Sequence, residues 1–275
     1  MTEEELEALI AAHPVKGDPG AMREGFAALA AAGSRMRAVP RKDVEIGGHR
    51  AIVLTPERAT GRQVLHLHGG GYVFGSPRTH LAFAAALAEE AQAELVLPAY
   101  PLAPEALWPA QREAAAAIAE SLGGEIVLSG DSAGGHLALS LALRGIKARG
   151  LALFSPNTAR DYAESRSRQS TQDAMNEAGQ DDALARLAFS AIRPEDPEQT
   201  LLLQDLSRLP PLHIDVGRRE VLLDDSLRLA RAAALAGVLT ELCVRDGFHL
   251  IQLFAGRYPA ADAAIARAGA WIRAL

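Results

Sequence analysis

The chain is short of almost everything that would tie it to a disulfide, a membrane or a nucleic acid. Its 275 residues hold one cysteine, which excludes an intramolecular disulfide and agrees with a reducing compartment. That residue, Cys243, lies in a strand-like run, where burial as a small apolar side chain is expected. Aromatic residues make up 5% of the chain, and alanine fills many helix-like segments in their place. Positive charge is in deficit: the net charge of −6 leaves no basic footprint for nucleic acid. No apolar run approaches the roughly twenty residues of a membrane-spanning helix. The acidic start Met1-Thr-Glu-Glu-Glu-Leu-Glu7 lacks the basic and apolar regions of a secretory signal. A cytoplasmic protein without membrane or nucleic-acid partners is the expectation. No Cys/His cluster has structural-zinc spacing, and no metal or organic cofactor is expected. Internal repeats and low-complexity tracts are absent.

What is present is an apolar fraction of 49%, enough for a sizeable core in one α/β domain spanning 1–275. Strand candidates are Val44–Ile46, His49–Leu54, Val64–Leu67, Leu95–Pro98, Glu125–Ser129, Ala148–Ser155, Leu212–Val216 and Leu242–Arg245. Helical runs separate the later ones: Leu81–Gln92, Pro109–Leu122, Gly134–Arg144, Asp225–Ala236 and Pro259–Ala274. This alternation predicts a mostly parallel sheet of about eight strands with helices on both faces. Ligands bind such sheets at the carboxyl ends of the strands. Two segments stand outside the rhythm. Glu3 to Ala32 reads as helix interrupted at His13-Pro14 and Gly17-Asp-Pro-Gly20. Asn157 to Leu209 is polar at first and helix-like from Asp181 to Ile192. Inserted between two strands, it is a natural lid. The final strand, as a sheet edge, offers a surface for a homodimer.

Gly130-Asp-Ser-Ala-Gly-Gly135 lies between the strand-like Glu125–Ser129 and a helix-like run. A Gly-x-Ser-x-Gly in that position reads as a nucleophile elbow, with glycines where the backbone approaches closely. Ser132 would then stand clear at a helix N-terminus. His68-Gly-Gly-Gly71 follows the run Val64–Leu67. Its bare backbone N–H groups suit a developing oxyanion, so Gly70, Gly71 and Ala133 are the expected donors. The base must come later in the chain, and His249 in Asp246-Gly-Phe-His249 follows a late strand through a glycine loop. His66 and His68 are read as structural parts of the oxyanion segment, and His80 as a packing residue near the site entrance. The orienting acid should follow the strand that ends at Gly217. Glu220 fits best; Asp224 is the fallback, although with Asp225 it also suits helix capping, and Asp215 falls inside the strand.

These segments, with Tyr100-Pro-Leu-Ala-Pro-Glu105 and Ser155-Pro156, resemble the bacterial hormone-sensitive-lipase-like (family IV) esterases of the α/β-hydrolase fold. They run in the family's order over most of the chain. The resemblance implies Ser132 as nucleophile, His249 as base, Glu220 as acid, and an oxyanion hole of Gly70, Gly71 and Ala133. It also implies a helical cap contributed by 1–32 and roughly 157–209. Two departures stand out. Pro101 replaces the arginine many members carry, and Asn157-Thr158-Ala159 replaces an aromatic residue and a following aspartate. The expected activity is hydrolysis of a small-molecule ester with a short or medium acyl chain. Hydrolysis of an amide or formamide, or deacylation, by the same triad is an alternative. A non-catalytic ligand receptor is an alternative of another class. Tyr72, Phe74 and Phe189 are the candidates for lining the acyl pocket.

Overall fold

Strand-forming runs alternate with alanine-rich helices, and the computed structural model assembles them into one sheet. It describes residues 1–160, 165, 167–193 and 195–275. Parts of the polar run Asp161 to Ser170 therefore lie outside the described residues, as does position 194. Two helices open the chain, α1 (Glu3–Ala12) and α2 (Pro19–Gly33). They are separated at the predicted break because Asp18 caps α2 and Pro19 occupies its first turn. A capping box between Thr2 and Glu5 starts α1. Then follow β1 (Arg41–Ile46), β2 (His49–Leu54), β3 (Gln63–Leu67), α3 (Leu81–Ala91), β4 (Glu94–Pro98), α4 (Ala110–Leu122), β5 (Ile126–Asp131) and α5 (Ala133–Leu143). The chain closes with β6 (Ala148–Phe154), α6 (Ala178–Ala188), β7 (Leu212–Gly217), α7 (Leu223–Leu235), β8 (Thr240–Arg245) and α8 (Pro259–Ala274).

The strand order is β1-β2-β4-β3-β5-β6-β7-β8. The two pairings of β2 are antiparallel; from β4 to β8 the strands are parallel. Because side chains alternate along a strand, the central strands feed two cores. Leu65 and Leu67 of β3, Leu128 of β5 and Leu151 and Leu153 of β6 pack in one. Val64, Val127, Ala152 and Phe154 from the same strands pack in the other. The alanines of α3 matter in the second core. They let α8 approach so closely that a Cβ on Gly269 would fall 2.4 Å from the Cβ of Glu90.

Below the carboxyl ends of β3 and β5 lies a buried charged cluster. Asp131, at the end of β5, accepts hydrogen bonds from His66 Nε2 at 3.1 Å and His80 Nε2 at 3.2 Å. Burial would raise the Asp131 pKa, but the two histidines outweigh it and hold the carboxyl well below its usual range. His80 is thus an inner ligand of a carboxylate rather than a packing residue at an entrance. Cys243 also departs from expectation. It sits on the edge strand β8 and is partly exposed, because a sheet edge leaves one flank uncovered. Among the described residues no helix is long and apolar enough to cross a membrane.

The second core generates a stability prediction. The Phe83 ring meets His66 at 5.0 Å and Phe154 at 4.9 Å, both edge-on, and is fully buried. Phe83→Ala should cost about 3–5 kcal/mol, seen as a lower urea midpoint at unchanged slope. A loss below about 1 kcal/mol would mean that this side of the sheet repacks freely.

Candidate active site

The turn from β5 into α5 is built by exclusion. A Cβ on Gly130 would lie 2.2 Å from the Gly134 carbonyl oxygen, and one on Gly134 would lie 1.9 Å from that of Leu67. Neither strand nor helix could approach so closely with a side chain there. Between them Ser132 adopts φ 52° and ψ −119°, a conformation that L residues avoid without surrounding support. That support is local: its N–H donates to the Phe154 carbonyl at 2.9 Å, and its carbonyl accepts from His136 and Asn157 at 3.1 Å. Ala133 begins α5, so its N–H belongs to the first turn, whose donors have no partner within the helix.

The glycine triplet crosses over this elbow. A Cβ on Gly69 would meet Asp131 Oδ2 at 2.2 Å, and Gly70 and Gly71 take φ 115° and 59°. Gly70, Gly71 and Ser132 share one cleft with His249. Its other walls are Val15, Phe26, Phe74, Met175, Asn176, Gln180, Asp181, Leu184 and Leu250. The walls therefore come from the α1–α2 connection and α2 on one side and from residues 175–184 on the other. The cleft is tight, with about 40 Å³ of free volume.

Glu220 stands behind His249. His249 Nδ1 donates to Glu220 Oε2 at 3.0 Å, leaving Nε2 for chemistry in the cleft. Glu220 Oε1 accepts from the Gly217 N–H at 2.6 Å, Ser155 Oγ at 2.8 Å and Arg245 Nη2 at 3.3 Å. Glu220 is fully buried. Burial pushes its pKa up, but His249, Arg245 and Ser155 together bring it below the usual glutamate value. For His249, burial favours the neutral ring. The hydrogen bond and charge of Glu220, with the charges of Asp173 and Asp181, reverse this and raise its pKa.

The other candidates are placed elsewhere. Asp224 Oδ2 accepts the Ser167 N–H at 3.1 Å, and its own N–H donates to Ser167 Oγ at 3.0 Å. It ties the insertion to the start of α7 and stands apart from His249. Asp215 holds Arg245 Nε at 2.7 Å and Gln252 Nε2 at 2.6 Å. Of the three pocket candidates, Phe74 lines the cleft against Phe26, ring to ring at 5.1 Å. Tyr72 and Phe189 do not line it. With φ 65° at Tyr72 the chain turns its side chain inward, where its hydroxyl meets His136 Nδ1 at 2.7 Å. Its ring packs edge-on against Phe189, 5.8 Å away. Both are buried in the first core.

A family profile for the alpha/beta hydrolase fold matches residues 64–252. An acetyl-hydrolase from Streptomyces hygroscopicus is 35% identical over 86% of this chain and 83% of its own length. An esterase from Acinetobacter venetianus is 30% identical over 82% and 79%. A crystal structure of an esterase from the bacterial hormone-sensitive lipase family superposes with a TM-score of 0.93. It is 29% identical and covers 100% of this chain and 99% of that one. The chain belongs to the hormone-sensitive-lipase-like esterases of the α/β-hydrolase fold. Its relatives include esterases and an acetyl-hydrolase, and the chain is a carboxylesterase.

Some of this esterase's site escaped the sequence. Ser155 is held at φ 46° with its hydroxyl on Glu220, yet Ser155-Pro156 alone says nothing of that contact. Arg245 ends the last strand as an unremarkable basic residue; only strand pairing brings it between Asp215 and Glu220. Asp181 lines the cleft and accepts from Asn157 Nδ2 at 2.7 Å and Arg160 Nη1 at 2.8 Å. Asn157 is one of the positions where the chain departs from its family's habit. The signal was present there without its partner.

Two predictions follow from the electrostatics. Activity should fall as pH falls and His249 Nε2 takes a proton. With its pKa raised, the acid limb of kcat/KM should have its midpoint above the ordinary histidine value of about 6.5. A midpoint below that value would contradict the charge arrangement. Glu220→Gln should lower kcat/KM roughly 10²–10⁴-fold and move that limb to lower pH, whereas Asp224→Asn should change the rate little. A larger loss at Asp224 would reassign the acid.

Proposed function

We propose that the chain is a serine carboxylesterase that hydrolyses small esters of short acyl chains through an acyl-enzyme. The observation that carries this reading is the buried Glu220–His249 pair opening into the cleft that also holds Ser132, Gly70 and Gly71. With Nδ1 committed to Glu220, the imidazole has one nitrogen left to take the Ser132 hydroxyl proton. Ser132 Oγ then attacks the ester carbonyl. The oxyanion is met by N–H groups of Gly70, Gly71 and Ala133. His249 returns the proton to the leaving alcohol, then deprotonates the water that cleaves the acyl-enzyme. Glu220 stays ionised, fixing the tautomer and stabilising the imidazolium.

The walls of the cleft support the short acyl chain. Leu184 presses on the glycine triplet so closely that a Cβ on Gly71 would lie 2.6 Å from its Cδ1. The N-terminal segment around Val15 and Phe26 and the insertion around Met175–Leu184 act together as a cap over the nucleophile. Their apolar side chains contact the acyl group, and the glycine side of the cleft takes the reacting carbonyl.

The test is a series of p-nitrophenyl esters from acetate to octanoate. Specificity should peak at two to four carbons and fall beyond them. Ser132→Ala should lose more than about 10³-fold in kcat, and a fluorophosphonate should label Ser132 alone. Residual wild-type turnover in Ser132→Ala would overturn the reading, as would a label on another residue. A matched amide that turns over faster than its ester would assign the same groups to amide hydrolysis.

A further inference from the structure

The insertion touches more than the substrate's side of the cleft. Its residues 167–176 run beside the loops that bear the acid and the base and are stitched to both. Ser167 Oγ donates to the Val221 carbonyl at 2.8 Å, and Ser170 Oγ donates to the Arg219 carbonyl at 2.9 Å. Asp173 does more, because its two oxygens divide between the two loops. Oδ1 accepts the backbone N–H of His249 at 3.1 Å, and Oδ2 accepts the backbone N–H of Val221, next to Glu220, at 3.1 Å. Oδ1 also takes the N–H groups of Met175 and Asn176 at 3.1 and 3.3 Å, which fixes the stretch that walls the cleft. One carboxylate therefore holds the cap, the base loop and the acid loop together.

We propose that Asp173 is a positioning residue that couples cap closure to assembly of the Glu220–His249 pair. This rests on the serine-esterase reading above. The reasoning is geometric and electrostatic. The Glu220–His249 hydrogen bond spans two loops that belong to different strands, β7 and β8. Their mutual distance is set by whatever bridges them, and Asp173 bridges them at the two residues concerned or their immediate neighbours. Two N–H groups, each 3.1 Å from one oxygen of the same carboxylate, leave little freedom between the loops. A cap lifted from the cleft would take Asp173 with it, freeing both N–H groups at once. The base would then be well oriented only when the cap is down. Water would meet a competent triad less often in the open enzyme than in the substrate-filled one.

The carboxylate also contributes charge. It lies near His249 without a direct contact to the ring and adds to the attraction that favours imidazolium, alongside Glu220 and Asp181. Among the described residues, the charged or titratable groups that face Asp173 include Glu220 and His249, His13 and Lys16 from the end of α1 and the connection to α2, and Glu177 of the insertion. The last three line the same surface hollow. A purely structural clamp would leave the titration of His249 unmoved, which separates the two roles.

The test is Asp173→Asn in the full-length enzyme, assayed with p-nitrophenyl acetate across pH. The amide keeps one acceptor but turns an N–H₂ toward the other loop, and the charge is gone. The expected result is a fall in kcat of about tenfold or more with KM changed less than about twofold, since the loss lies in orientation rather than ground-state binding. The acid limb of kcat/KM should move to lower pH. Ser170→Ala removes another stitch of the same segment but leaves the carboxylate, and should keep the wild-type acid limb. Asp173→Glu retains the charge with displaced oxygens. It should lose kcat while keeping the wild-type limb, and it carries the test if Asp173→Asn does not fold. Wild-type kcat and an unmoved limb in Asp173→Asn would overturn the proposal, as would a shifted limb in Asp173→Glu. Wild-type enzyme that neither turns over the ester nor labels at Ser132 would instead overturn the esterase reading, independently of Asp173.

Discussion

The structure depends on a contact that admits no side chain. At Gly134 the first turn of α5 lies so close to the end of β3 that a methyl group would sit 1.9 Å from a backbone oxygen. Gly130 and Gly69 are confined in the same way, one against α5 and one against Asp131. These approaches draw the glycine triplet, the Ser132 turn and the N-terminus of α5 into one small volume. Ser132 is then forced to a positive φ, and its backbone is held there by hydrogen bonds to Phe154, His136 and Asn157. Strain at one residue is offset by the packing of three elements. The sheet order matters because β3 and β5 are neighbours, which puts the glycine triplet beside the elbow.

Around this steric centre two of the buried charged groups among the described residues have different tasks. Asp131 with His66 and His80 lies under the glycines, and each histidine closes onto it from a separate segment. It braces the glycine triplet, where Gly69 rests on Asp131. The second group runs from Asp215 through Arg245 to Glu220 and His249. Removing one member of such a series leaves an uncompensated buried charge, so its members depend on each other. Glu220 stays ionised because it collects donors from Gly217, Ser155, Arg245 and His249, four contacts from different parts of the chain. The extra methylene of glutamate is accommodated because Gly217 leaves room: a Cβ there would fall 2.8 Å from Glu220 Oε1.

The insertion is where local sequence said least. Its residues are polar or alanine-rich and carry no periodic pattern strong enough to say which face meets the cleft. Tyr72 and Phe189 illustrate the difficulty. Both are aromatic and close in sequence to functional segments, yet they pack against each other and against His136 as core. Whether an aromatic side chain faces a cavity or the interior depends on the backbone turn that carries it. At Tyr72 that turn has a positive φ which residue type does not announce. Asp173 is the converse: an ordinary acidic residue in a loop, significant only because two distant backbone N–H groups converge on it.

Sequence by itself determined the alternation of strands and helices, the glycine-flanked turn at Ser132, the glycine triplet and the order in which Ser132, Glu220 and His249 occur. Each is written in short-range chemistry, where glycine permits close approach and apolar periodicity selects strand or helix. It also ranked Glu220 above Asp224, since the turn after Gly217 is short enough for position to matter. Tertiary structure alone decided what those residues touch. The register of β7 and β8 places Arg245 between two carboxylates, and the chain crossing back from the insertion places Asp173 on the His249 loop. Such contacts join residues 25 to 76 positions apart in the chain. Their partners are chosen by strand pairing and packing, which no local pattern encodes.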